Sequence, residues 1–301
     1  MILVIGGTGT TGRLVATTLA DAGRPVRVAS RRASAGDVRF DWYDPGTHRA
    51  AVEGVTGVYL VPPVGEVDPA PVMLPLLELA RARGVRRAVL LSSSAIEAGT
   101  PGLGEVQARL GGFFPEWAVL RPSWFMENFV GDHPHGVSAR ERGEIISATG
   151  DARVGIVDPA DIAEVAVRAL TDPTSHDTDH LVTGPERLSY ADIAAVLTDT
   201  GGRPVRHRAV SEAELTAYHE ANGLPPDFAR FLASLDTAIA AGAEDRTTST
   251  VADVTGRPPR SFRDFCRDRL PGGPRSTPRR RQHVRGGRVA RQLPGQRHRR
   301  L

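Results

Sequence analysis

The stretch Ile5-Gly6-Gly7-Thr8-Gly9-Thr10-Thr11-Gly12 lies between an apolar run, Ile2 to Ile5, and a segment in which Leu14, Val15, Thr18 and Leu19 recur at helical spacing. A second apolar run, Val26 to Ser30, follows, so strand, glycine loop, helix and strand stand in order as one βαβ unit. Glycine at positions 6, 9 and 12 removes the Cβ atoms that would obstruct a tight turn, a pyrophosphate and the packing of helix on strand. Thr8, Thr10 and Thr11 add hydroxyl donors, and the helix N-terminus directs backbone N–H groups at phosphates. The loop predicts a dinucleotide site with Gly6, Thr8, Gly9, Thr10, Thr11 and Gly12 as its cradle. The plainer alternative is a glycine-rich strand-to-helix turn.

Outward from this unit the same rhythm continues. Apolar runs at Val38 to Asp41, Gly57 to Val61, Ala88 to Ser92 and Ala118 to Leu120 alternate with helical patterns at Arg13 to Ala22, His48 to Val52, Met73 to Arg83 and Gly104 to Leu110. The expectation is an α/β fold, a Rossmann-type doubly wound parallel sheet with a small, mainly helical C-terminal substrate lobe. Residues 1–125 form the dinucleotide-binding domain, 126–270 a substrate lobe interleaved with it, and 271–301 a disordered arginine-rich tail. In the lobe, helices are expected at Asp158 to Leu170, Ser189 to Leu197, Ser211 to Ala221, Pro225 to Ala241 and Ser261 to Arg269. Ser211 and Glu214 have the spacing of a capping box.

The 301 residues include 38 basic side chains, and every one is arginine. Without lysine there is no phosphate-loop Lys, no Schiff-base Lys and no Tyr-x-x-x-Lys pair. Residues 271–301 hold ten arginines and no acid, which leaves 28 Arg against 35 acidic residues in positions 1–270 and a body of net charge −7. The tail alone is basic, and it lacks interleaved aromatic residues, so no specific nucleic-acid partner is expected. The single Cys266 allows no internal disulfide and fits a reducing, cytoplasmic compartment. No apolar run approaches membrane-spanning length, and no signal peptide is expected, because Ile2 to Ile5 has no basic region before it.

At the end of the second strand, where a carboxylate would bind a ribose 2′-hydroxyl, stand Ser30, Arg31 and Arg32. A guanidinium there favours a 2′-phosphate, so NADP(H) is the expected cofactor and NAD(H) the lesser one. A solvated arginine loop is the alternative. Asp41 is placed to reach the adenine amino group, with Trp42 near that base, and Val61-Pro62 is placed to wall the cofactor. Ser92, Ser93 and Ser94 fall at the carboxyl edge, where open parallel sheets bind ligands; Ser92 is assigned to the cofactor and Ser94 is a candidate catalytic residue.

These segments, with Leu120-Arg121-Pro122-Ser123-Trp124-Phe125-Met126-Glu127-Asn128-Phe129, resemble the NmrA-like, atypical branch of the short-chain dehydrogenase/reductase superfamily. The segments Asp158 to Ala163, Leu181 to Pro185 and Thr255 to Pro259 look like that family's downstream landmarks. The likeness spans residues 1 to about 270 and is nearest to a bacterial subgroup similar to ergot-alkaloid-type and NAD(P)H azo or quinone reductases. It implies hydride transfer to a small, aromatic or heterocyclic electrophile, such as an iminium or quinone, in secondary metabolism. It also leaves open a non-catalytic NADP(H)-binding redox sensor acting on a protein partner. Ordinary superfamily members protonate a carbonyl oxygen through a Tyr/Lys pair that this chain lacks. An acceptor already carrying positive charge needs no such acid.

Pro122 is expected to orient the nicotinamide carboxamide, while Trp124, Phe125, Asn128 and Phe129 are expected to contact substrate. Glu127 and Asn128 are further candidate catalytic residues, and a core turn packing the lobes is the competing reading for Phe125 and Phe129. The nine histidines lack zinc-like spacing, so no metal is expected, and His133 and His135 read as a solvated loop bordering the substrate region. Asp158 and Asp161 read as helix-start carboxylates.

Overall fold

In the computed structural model the described residues are 1–34 and 36–270. The expected disordered tail, 271–301, lies outside them. The chain begins β1 (Ile2–Ile5), α1 (Thr10–Asp21), β2 (Val26–Ser30), β3 (Val38–Arg39), α2 (His48–Val52), β4 (Gly57–Leu60) and α3 (Ala70–Ala82). It continues β5 (Arg87–Leu91), α4 (Leu103–Phe113), β6 (Glu116–Pro122), α5 (Pro134–Arg142), β7 (Glu144–Ser147), β8 (Arg153–Val154), α6 (Pro159–Thr171) and β9 (Thr178–Val182). Then follow β10 (Leu188–Ser189), α7 (Tyr190–Gly201), β11 (Arg206–Ala209), α8 (Glu212–Ala221), α9 (Pro226–Ala240), α10 (Thr250–Thr255) and α11 (Phe262–Arg269).

Seven strands pair in the order β3-β2-β1-β4-β5-β6-β9, every neighbour parallel. The chain runs outward from β1 to β3, then crosses back to lay β4 on the other side of β1. The carboxyl ends of β1 and β4 thus flank the topological switch point, where such sheets open a crevice. Because side chains alternate along a strand, Leu3, Ile5, Val58, Leu60, Ala88 and Leu90 enter one core with α2, α3 and α4. Val4, Tyr59, Val89, Leu91 and Leu120 enter a second core with α1 and α6.

Three details depart from the expected elements. Helix α1 starts at Thr10 rather than Arg13, capped by Gly9, so Thr10 and Thr11 form its first turn. The third strand ends at Arg39, which puts Asp41 in the following turn, where one carboxylate oxygen accepts the Tyr43 N–H at 3.0 Å. Residues 178–182, far along in the chain, return as the seventh strand beside β6, and α6 packs on α1. A third core, with Met126, Phe129, Tyr190, Ile193, Phe262, Phe265 and Cys266, lies in the remaining part, built from α5, α7 and α11 with the short strands. The Ser211 box is formed: the Glu214 N–H donates to Ser211 Oγ and the Ser211 N–H to Glu214. Among the described residues no helix is long and apolar enough to cross a membrane.

Candidate active site

The loop after β1 is closed on itself. Gly9 N donates to Gly6 O at 2.9 Å, and Gly6 holds φ +71°, a left-handed conformation that favours glycine. A Cβ on Gly12 would stand 2.2 Å from Gly6 O, and one on Gly6 would meet Val61 at 3.0 Å. Helix, loop and β4 therefore approach as closely as backbone allows. That space, and the N–H groups of the first turn of α1, fit a diphosphate.

A cavity of about 260 Å³ runs from this loop along the carboxyl edge. It is lined by Gly6, Thr8, Gly9, Arg31, Asp41, Val61 and Pro62, all expected cofactor contacts, and is closed by Trp42, Tyr43 and Pro63. Trp42 Nε1 donates to Val61 O at 3.1 Å, which joins the two walls, and the Tyr43 hydroxyl donates to Glu66 at the rim.

Other expected contacts lie elsewhere. Thr11 is buried and accepts the Tyr59 hydroxyl at 3.2 Å, so it packs under the loop instead of lining the cavity. Burial holds the Tyr59 phenol above its ordinary pKa, so it stays neutral. Thr10 and Gly12 sit in the first turn of α1, Gly12 as a packing contact. Arg32 lies beyond the lining, in the turn where its carbonyl accepts the Ser30 hydroxyl. Ser92 donates to Gln107 inside the core at 3.0 Å, and Pro122 is buried at the end of β6.

Next to those strand ends is a residue that sequence reasoning missed. Glu244, 3% exposed, accepts hydrogen bonds from Ser94 Oγ at 2.9 Å and Ser123 Oγ at 3.1 Å. One carboxylate oxygen thereby ties the ends of β5 and β6 to the segment after α9. Ser94, a catalytic candidate on sequence, is instead a buried donor in this clasp, 2% exposed. Arg121 adds ion pairs to Glu97 at 2.6 Å and Asp179 at 3.0 Å.

The segment after β6 divides in two. Trp124 and Phe125 are half-buried and pair their backbones with Val157, and Phe125 packs on the sheet core. Met126 to Phe129 form one 3-10 turn, with Asn128 half-buried on it. Phe129 is 1% exposed, stacked on His135 at 5.5 Å and edge-on to Tyr190 and Phe262, so it is a core residue rather than an open substrate contact. Glu127, a candidate catalytic residue on sequence, pairs with Arg269 at 3.3 Å, which occupies its carboxylate.

His133 and His135 are no solvated loop. His133 caps α5 by accepting the His135 N–H, and its ring lies against that of His135, which packs beside Tyr190. Burial lowers His133 to about 4, helped by His219, and lowers His135 well below the ordinary histidine range. His207 and His219 are lowered by burial too, so these four rings are neutral near pH 7. Asp236 of α9 is raised by burial to about 6, and its charge, after burial, helps hold the Tyr190 phenol well above its usual value. Four histidines, a tyrosine and a carboxylate thus gather from α5, β11, α7, α8 and α9. Among the described residues no three His, Cys, Asp or Glu are disposed to hold a metal ion.

Two of the downstream landmarks meet in space. Asp158 caps α6 through Ala160 N, while Arg257 reaches Asp161 at 2.8 Å and the Arg260 N–H donates to its other oxygen. This buried network pins the C-terminal helices to the sheet layer.

A parallel sheet whose switch point carries this loop and cleft defines a Rossmann-type dinucleotide-binding protein. Residues 2–108 match the NAD dependent epimerase/dehydratase family. Over 269 residues the chain is 46% identical to an uncharacterized oxidoreductase of Bacillus subtilis (strain 168), covering 88% of this chain and 93% of that relative. It is 41% identical over 281 residues to an agroclavine dehydrogenase of Claviceps fusiformis, covering 89% and 96%. In fold it is similar to an NADPH-dependent quinone oxidoreductase of Escherichia coli crystallised with NADPH, with TM-score 0.76, 22% identity and coverage of 88% and 98%. The chain belongs to the atypical short-chain dehydrogenase/reductase family of oxidoreductases.

Proposed function

We propose that this chain is an NADPH-dependent reductase that delivers hydride to a flat, electron-poor small molecule, an iminium or a quinone. The observation that carries the reading is the continuity of the Gly6–Gly12 loop with a cleft lined by Arg31, the residue directly after β2, where Arg31 and Arg32 stand in place of an acid. Gly6, Gly9 and the first turn of α1 would hold the diphosphate, Thr8 would add a hydroxyl, and Arg31 would bond the 2′-phosphate. Asp41 and Trp42 would flank the adenine, with Val61 and Pro62 as the wall toward the nicotinamide. When bound, the reduced nicotinamide supplies a hydride.

The chain's own part is to position and to exclude water. The Glu244 clasp fixes the ends of β5 and β6, and Trp124 extends from the end of β6 toward the helical lobe. The Tyr59 phenol is buried, bonded to Thr11 and held neutral, and in a chain without lysine no tyrosine has the ammonium neighbour that would lower its pKa. An iminium acceptor fits this, because hydride addition neutralises it without a proton, and a quinone requires only that its oxyanion be stabilised. Similarity to the agroclavine dehydrogenase supports a small-molecule substrate for this reading. The one buried cysteine supports a reducing, cytoplasmic setting.

The test is anaerobic NADPH oxidation by the full chain with iminium, quinone and azo acceptors, alongside titration of NADPH fluorescence. Turnover on one acceptor class with NADPH preferred over NADH is expected. Undisturbed NADPH fluorescence at saturating protein would overturn the reading. The lysine-free sequence favours one second reading, a cofactor-binding redox sensor, for which tight NADPH binding without turnover on any acceptor is the signature.

A further inference from the structure

Among the described residues five carboxylates are buried: Glu144, Asp158, Asp161, Asp236 and Glu244. Four have an arginine within salt-bridge range. Glu144 has Arg208 at 3.7 Å, Asp158 has Arg260 at 3.4 Å, Asp161 has Arg257 at 2.8 Å and Glu244 has Arg246 at 3.6 Å. Asp236, 6% exposed, has none among the described residues, and its polar contact is the Ala148 N–H at 2.9 Å. Burying an ionised carboxylate without a counter-charge is costly, and this chain otherwise avoids it.

The neighbours of Asp236 do not supply the missing charge. Its field is felt at Tyr190, whose fully buried hydroxyl faces Trp124 yet makes no hydrogen bond of normal geometry. The other sealed polar atom of the cluster without a partner is His219 Nδ1. The histidines gathered around Tyr190 are kept neutral by burial, so none of them is a cation for Asp236. What remains is a carboxylate and an unpaired phenol beside flat rings, with Trp124, His133, His135 and His207 each only partly covered. His135 stands edge-on to Tyr190 at 5.6 Å, and His207 is tilted to it at 5.7 Å.

We infer that Asp236 and Tyr190 form the subsite for the positive charge of a planar organic cation, with Trp124 and His135 as its aromatic walls. The ligand brings the counter-charge that the chain omits, and aromatic faces add cation–π attraction. The inference rests on the reductase reading and sharpens its acceptor to the cationic class. It also accounts for release. When hydride from NADPH bonds to the iminium carbon, the C=N π pair moves to nitrogen and the charge vanishes, so the neutral product loses its attraction to Asp236.

The test uses the full chain with NADP⁺ and two isosteric probes at mildly alkaline pH, the cation 2-methylisoquinolinium and neutral isoquinoline, bound in a calorimeter. The wild-type protein should prefer the cation. Asp236→Asn should weaken the cation roughly tenfold or more while weakening isoquinoline several-fold less, and Asp236→Glu should recover part of the loss. Equal weakening of both probes in a variant with wild-type circular dichroism would overturn the inference. So would wild-type protein that shows no preference for the cation, an outcome that needs no variant to fold. Binding requires no turnover, so cation preference without NADPH oxidation would sink the reductase reading and leave the subsite standing.

Discussion

The sheet layer and the helical lobe solve burial differently. Beneath β1, β4 and β5 the interior is apolar on both faces, and its buried polar groups pair with one another, Tyr59 with Thr11 and Ser92 with Gln107. In the lobe, Tyr190, His219 and Asp236 are all buried, two of them with unpartnered atoms. The first region is rigid by geometric closeness at the glycine loop. The second carries uncompensated polarity, on which the proposed cation subsite rests.

The sharpest way to break the comparison is to fill the tight side. Gly12→Val puts atoms onto the Gly6 carbonyl, and the cost should exceed about 3 kcal/mol, seen as a large drop in Tm together with loss of NADPH fluorescence enhancement. Acid should attack the lobe instead. His133, lowered from 6.5 to about 4, stabilises the folded state above pH 6.5 and loses that contribution as pH falls toward 4. Asp236, raised to about 6, runs the opposite way, favouring the folded state as pH falls from 6 to 3.8. The depressed histidines outnumber it, so Tm should fall by roughly 5 °C or more between pH 6.5 and 4, and His133→Gln should flatten the fall.

Between the regions sits Glu244. Glu244→Ala strands two buried hydroxyls, and a loss of about 2 kcal/mol is expected in urea unfolding. Arg31→Ala should weaken NADPH about tenfold or more by fluorescence titration while sparing NADH. Arg32→Ala, outside the cleft lining, should change NADPH affinity less than about threefold.

What was readable from sequence follows the same division. The βαβ rhythm, the glycine loop and the arginine after β2 are local, each within a dozen residues, and period and turn chemistry expose them. Boundaries slipped where a turn or cap takes over from the apolar pattern, as at Gly9, which caps α1, and Asp41, which accepts the Tyr43 N–H. In the lobe, His133 and His135 look like a polar loop because the Tyr190 ring that packs against His135 lies far along the chain. Glu244 lies 150 residues from Ser94 and 121 from Ser123, so no motif could announce the contact. Burial of a polar group belongs to the tertiary structure, and the sequence holds it only through the fold.

The clasp has a consequence for biosynthesis. Two serines at the sheet edge wait for an acceptor that the ribosome delivers only after four-fifths of the chain has been translated. A nascent or prematurely terminated polypeptide ending before position 244 would carry the full nucleotide loop but an unfinished edge. Hydride-transfer competence should therefore appear late, once the segment beyond α9 has emerged and docked.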